Sequence, residues 1–180
     1  MLWLMIAVVL VVAVVAFIAT RPANYRIVRR GTISAPAETV FSYINDFHKW
    51  AAWSPWEKLD PDMKRSHAGP PSGVGSRYAW SGNRKAGAGS MEITDSVANQ
   101  RIAIDLQFER PFKARNETEY TFAPSADGVT VTWTITGHNN FIAKAFCVFV
   151  DMDKMVGKDF EQGLANLKTA AEADAARVRR

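Results

Sequence analysis

Eighteen consecutive apolar residues, from Leu2 to Ala19, open the chain and include no charged side chain. At ~1.5 Å rise per residue, a helix over this run spans roughly 27 Å, close to the ~30 Å hydrocarbon thickness of a bilayer. A cleaved secretory signal needs a basic start, a shorter apolar run and small residues before the cleavage point. Here no Lys or Arg precedes the run, and bulky Phe17 and Ile18 stand where small residues would be needed. Residues 1–20 therefore read as an uncleaved transmembrane anchor. Arg21, Arg26, Arg29 and Arg30 follow at once, and positive charge on the trailing side predicts a single-pass membrane protein whose folded part lies in the cytoplasm. The lone cysteine, Cys147, excludes an intramolecular disulfide and agrees with a reducing compartment.

Residues 21–175 have the length of one domain with a sizeable core, and 176–180 form a short basic tail. The net charge of +4 is an effect of the two ends. Setting aside the four Arg after the anchor and Arg177, Arg179 and Arg180, 15 basic residues face 18 acidic ones, so the body is net −3. A nucleic-acid binder would concentrate its positive charge on the folded face, and none is expected as a partner. The basic ends suit anionic lipid headgroups instead.

Hydrophobic periodicity predicts the order of elements. Tyr25, Ile27, Gly31 and Ile33 share one parity of a first strand. Ser34 can cap the helix that follows, with Pro36 in its first turn and Val40, Phe41, Ile44 and Phe47 at helical spacing. A second short helical piece holds Trp50 and Trp53 until Pro55 stops it. Five strands come next. Their apolar parities are Val74, Tyr78, Trp80; then Met91, Ile93, Val97; then Ile102, Ile104, Leu106, Phe108; then Tyr120, Phe122; and finally Val129, Val131, Trp133, Ile135, with turn residues between. A single helix over about 141–173 ends the chain, capped by Asn140, with Phe149, Met152, Val156, Phe160, Leu164, Leu167 and Ala171 as its apolar stripe. Short-turned strands pair antiparallel, so the fold class is α+β: a curved antiparallel sheet wrapped around a long C-terminal helix.

Four stretches resemble the START-like or SRPBCC superfamily, which includes polyketide cyclases and small lipid carriers. They are Ile33-Ser-Ala-Pro-Ala-Glu-Thr-Val-Phe41, Trp50-Ala-Ala-Trp-Ser-Pro-Trp56, Gly73-Val-Gly75 with Tyr78-Ala-Trp80, and the terminal helix over 151–167. The resemblance covers roughly residues 25–172 and is nearest to a bacterial branch with an N-terminal anchor. It implies a helix-grip fold with an apolar pocket between sheet and helix. It does not imply one reaction, because the fold hosts carriers and enzymes alike.

Strand parity predicts which polar groups join the interior: Ser76 with Tyr78, Asp95 with Ile93, and Asn116 and Thr118 with Tyr120. In a dry interior each would cost about 1–3 kcal/mol without a partner, which favours a wet or ligand-filled pocket for the group; the alternative for any one of them is a place at a strand end near the rim or a pairing with another. Candidate lining residues are these four together with Trp53, Trp56, Tyr78, Trp80, Met91, Ile93, Leu106, Phe108, Tyr120, Trp133, Phe149, Met152, Val156 and Phe160. The bland alternative for each aromatic is ordinary core packing. His48, His67 and His138 show no metal-ligand spacing, no nucleophile motif occurs, and neither metal nor cofactor is expected. Three readings remain open: a membrane-tethered binder of a small hydrophobic molecule such as a lipid or polyketide-like metabolite; a cyclase- or hydratase-type enzyme using Asp95 or Asn116; and a protein-interaction module with a vestigial pocket.

Overall fold

The computed structural model describes residues 1–178; Arg179 and Arg180 of the expected tail lie outside it. Helix α1, Leu2–Ala19, is long and apolar enough to cross a membrane, and none of its residues is fully buried. Strand β1 (Asn24–Ile33) leads to α2 (Ala37–Asn45), with Pro36 rather than Ser34 at the cap position. Two 3₁₀ turns follow, Phe47–Ala52 and Pro55–Lys58. The first ends at Ala52 with Trp53 as its cap, short of Pro55, which instead opens the second, since its fixed φ suits a helical first turn.

The sheet has seven strands, all pairing antiparallel, in the order β1-β7-β6-β5-β4-β3-β2. Beyond β1 these are β2 (Lys64–Ala68), β3 (Arg77–Ser81), β4 (Ala88–Val97), β5 (Arg101–Arg110), β6 (Ala114–Ser125) and β7 (Gly128–His138). Periodicity does not announce β2, because all five of its residues are exposed and it carries no apolar face. It is an edge strand held by its ladder to β3. The first and last strands in sequence, β1 and β7, are paired directly, so the other edge belongs to β1.

The terminal helix is two helices, α3 (Phe141–Phe149) and α4 (Met152–Val178). Val150 breaks the run in an extended conformation, and Asp151 restarts it: its Oδ1 accepts the Lys154 N–H at 3.1 Å, satisfying a donor in the first turn of α4. The expected Asn140 cap is present, its Oδ1 accepting from the Ala143 N–H at 2.9 Å. The break corrects the expected stripe: Phe149 stands 88% exposed, while Phe160, Leu164, Leu167 and Ala171 are buried.

Helix α4 lies across β1 and touches α2. Two glycines permit the close approach. At Gly163 a Cβ would come within 2.8 Å of the Trp133 ring and 3.3 Å of Pro55 Cδ. Gly157 leaves the space that the Arg29 guanidinium fills. Arg29 reaches from β1 to donate from Nε to Glu161 at 2.8 Å and from Nη2 to the Asp153 carboxylate and carbonyl, both at 3.0 Å. The guanidinium holds the Asp153 carboxyl below the usual carboxylate range.

Gly163→Leu adds a side chain with no space to enter, and it should lower the unfolding free energy of the full chain in detergent by about 1–3 kcal/mol. The same substitution at exposed Ala165 should stay within about 0.5 kcal/mol by denaturant titration.

Candidate functional site

Residues on the concave face of the sheet form two zones. The first is a closed aromatic block. Trp133 on β7 stacks flat on Phe160 of α4, with ring centroids 3.9 Å apart and planes 8° apart. Trp53 and Trp56 meet it edge-on at 5.6 and 5.7 Å, and Tyr120, its cross-strand partner, lies at 4.9 Å. Edge-to-face and stacked pairs of this kind add to what burial alone supplies. At this level side chains occupy the whole space between sheet and helix.

Three polar atoms in and next to the block are left over. The Thr118 hydroxyl, the Tyr120 hydroxyl and the Trp133 indole Nε1 are buried without a hydrogen-bond partner. All three residues are nearly inaccessible, at 4%, 0% and 2%. Thr118 and Tyr120 alternate along β6, and Trp133 sits across from Tyr120. Burial raises the Tyr120 pKa well above its ordinary value, so the phenol stays a neutral donor. Each unpaired group costs about 1–3 kcal/mol, unlike the neighbouring Trp50 and Trp53, whose indoles donate to the carbonyls of Ile44 and Tyr43.

The second zone runs over β3, β4 and β5. Trp80, Met91, Leu106 and Phe108 face the same side as the block yet are only partly buried, an apolar strip on the part of the sheet away from β1. Trp80 stacks on Tyr78 at 6.1 Å and meets Phe108 edge-on at 5.8 Å. Under the strip, the Tyr78 hydroxyl donates to Glu57 Oε1 at 2.5 Å, and Arg65 Nε donates to Glu57 Oε2 at 2.7 Å. Burial first, then the Glu57 carboxylate, push the Tyr78 phenol far above its usual pKa.

The expected residues distribute over these zones with two corrections. Trp53, Trp56, Tyr120, Trp133 and Phe160 gather in the block, with Ile93 buried beside it and Val156 at its edge; Thr118 is buried two residues before Tyr120 on β6. Ser76 is buried at the entry to β3. Asn116 is buried, its Oδ1 accepting from the Tyr25 hydroxyl at 2.7 Å. Asp95, expected to face inward, is half-exposed and paired with Arg101. A bulge between Ile93 and Asp95 reverses the parity, so Ser96 takes the inward place and donates to Asn45 Oδ1 at 2.8 Å. Phe149 and Met152 lie apart from both zones, on an open recess of about 480 Å³ between the start of β1 and the α3–α4 junction.

Sequence reasoning missed Tyr25, Glu57 and Arg65. Tyr25 shares the parity of Ile27 and was open to discovery, whereas Glu57 lies in a 3₁₀ turn and Arg65 on an exposed edge strand, where periodicity carries no signal. His48 and His67, distant in sequence, stack at 4.1 Å, but parallel rings do not converge on a metal, and among the described residues no group of three possible ligands occurs.

A model of the family described as polyketide cyclase / dehydrase and lipid transport matches residues 25–172. The chain belongs to this family. Solved structures give the same helix-grip fold. Protein CV1439 from Chromobacterium violaceum is 18% identical over 84% of this chain and 99% of its own, with a TM-score of 0.59. The Aha1 dimer from Colwellia psychrerythraea is 16% identical over 82% and 96%, at 0.58. DynU16, from the dynemicin biosynthetic locus, is 13% identical over 83% of this chain and 48% of its own, at 0.56. No curated protein matches the sequence. Family and fold together support a hydrophobic ligand-binding or cyclase-like role.

Tyr78 and Tyr120 bind their protons more tightly in the folded protein than in the unfolded chain. Their contribution to stability is therefore complete below about pH 10, the unfolded value, and is lost as pH rises through the folded-state values. Denaturant unfolding followed by tryptophan fluorescence should show this alkaline loss, and Tyr78→Phe should make it shallower. The same variant should cost roughly 1.5–3 kcal/mol at neutral pH, because it removes a hydrogen bond to a carboxylate.

Proposed function

We propose that this protein holds a small apolar molecule bearing a carbonyl or similar acceptor in the helix-grip interior. It does so beside a membrane crossed by α1, with the folded part on the cytoplasmic side. The observation that carries the reading is the cluster of three buried, unpartnered groups on Thr118, Tyr120 and Trp133. A core selected for packing alone would be more stable with Phe at Tyr120, so donors retained without acceptors favour a guest that supplies one. The open strip of Trp80, Met91, Leu106 and Phe108 is the apolar approach. Trp56 and Phe160 shift to admit the guest, and Trp53, Ile93 and Val156 complete its walls. Ser76 and Asn116 stand at its polar margin. The loop over 81–87 and the segment over 53–71 gate the entrance. Support for the membrane comes from the 18-residue apolar helix and the arginines that follow it. Anchoring would raise the effective concentration of the binding site near the bilayer.

A cyclase-type enzyme is the second reading, favoured by the Tyr78–Glu57–Arg65 network beside the strip. There a phenol bonded to a buried carboxylate would deliver or take a proton on a bound guest. Asp95 has no part in this reading, being held on the outer side by Arg101.

Native mass spectrometry of the full chain released from detergent should show a co-purified apolar mass. Tyr120→Phe, which removes a hydroxyl that the fold itself does not use, should leave stability unchanged or raised. It should also weaken retention of that mass about five-fold, the value of one hydrogen bond of about 1 kcal/mol. Equal retention by both forms would count against the donor cluster as the binding element.

A further inference from the structure

Helix α3 is apolar and unburied. Ile142, Phe146 and Phe149 recur at helical spacing on one face and are 70%, 50% and 88% exposed, with exposed Phe141 beside them. Lys144 is the one charged residue in α3 and lies on the opposite face. A soluble surface rarely leaves three such side chains in a row without an occupant.

The neighbour of α3 indicates the occupant. Helices α1 and α3 pack against each other, and Lys144 Nζ donates to the carbonyl of Ala19, the last residue of α1, at 3.3 Å. A helix of this length reaches from one side of the hydrocarbon to the other, so its final residue sits at the level of the headgroups. Whatever touches Ala19 sits there too. Arg21 follows two residues on, its guanidinium folded back over the Phe17 ring at 4.4 Å, which suits a cation held at the boundary between acyl chains and headgroups.

We propose that α3 is a second membrane contact, lying in the plane of the bilayer surface with Ile142, Phe146 and Phe149 among the acyl chains. The inference rests on the reading of α1 as a membrane span and adds an orientation to it. With α3 embedded, the recess at the α3–α4 junction, walled by Tyr25, Cys147, Phe149 and Met152, opens at the membrane surface rather than into bulk water. The domain is then fixed at two points, and the start of α4 is held against the lipid from which an apolar guest would come.

Site-directed spin labelling of the full chain tests this in vesicles of phosphatidylcholine with a minor share of phosphatidylglycerol. With Cys147→Ser removing the native thiol, single labels are placed through Phe149→Cys, Ile142→Cys, Val97→Cys at the exposed end of β4, and Val9→Cys inside α1. The ratio of accessibility to oxygen over that to a water-soluble nickel chelate should be several-fold higher at 142 and 149 than at 97. A lipid-like ratio at 9 with water-like ratios at 142 and 149 overturns the α3 contact while leaving the anchor intact. Water-like ratios at all four positions overturn the anchor itself, and the α3 contact with it. Strong spin–spin broadening at 149 that dilution of the protein in lipid removes would assign the face to a second copy of the chain and overturn the membrane contact.

Discussion

The stack of Trp133 on Phe160 decides how closely the sheet grips its helix. An indole laid flat against α4 at 3.9 Å leaves no space for a side chain at Gly163, and it gathers Trp53, Trp56 and Tyr120 around its edges. The same arrangement leaves the indole N–H facing an apolar surround, together with the hydroxyls of Tyr120 and Thr118. Tight closure and unmet polar demand therefore occur in one place. A purely structural core would have resolved that conflict with apolar residues, and its persistence is the physical basis for the functional reading.

Away from this block the grip loosens. Helix α4 covers β1 and meets the Trp133 level, but the concave side of β3, β4 and β5 keeps Trp80, Met91, Leu106 and Phe108 partly open. Beneath them Tyr78, Glu57 and Arg65 bind the second 3₁₀ turn to the far edge of the sheet. At the other end, the Tyr25 hydroxyl and Asn116 join β1 to β6 beside the recess near α1. The interior is thus closed at the Trp133 level and less covered over β3 to β5, an arrangement in which modest side-chain rotation, rather than movement of whole elements, would admit a guest.

Much of this was legible in the residues. Alternation in β3 to β7 is strong because one face of each strand is buried, and that single fact yields the antiparallel order, the inward set containing Tyr120, Trp133 and Asn116, and the match to the helix-grip fold. Parity fails where the backbone adds a residue: the bulge after Ile93 sends Asp95 outward and Ser96 inward, and no side-chain pattern announces it. Edge strand β2 escapes for the opposite reason, since five exposed residues carry no periodicity. The division of the last helix was hidden because the apolar spacing runs through it unbroken. Phe149 completes the stripe on paper, yet the extended Val150 turns it to the surface. Unpaired donors cannot be read from a sequence at all, because they are defined by what fails to come near them.

The central claim is that the Trp133 indole N–H is kept for an acceptor on an apolar guest. Nuclear magnetic resonance of the nitrogen-labelled indoles in the full chain, titrated with a medium-chain methyl ketone and then with the alkane of equal length, tests it directly. The account predicts a saturable downfield shift of the Trp133 N–H with the ketone and little change with the alkane. An indole signal unmoved by either, or moved equally by both, would contradict it.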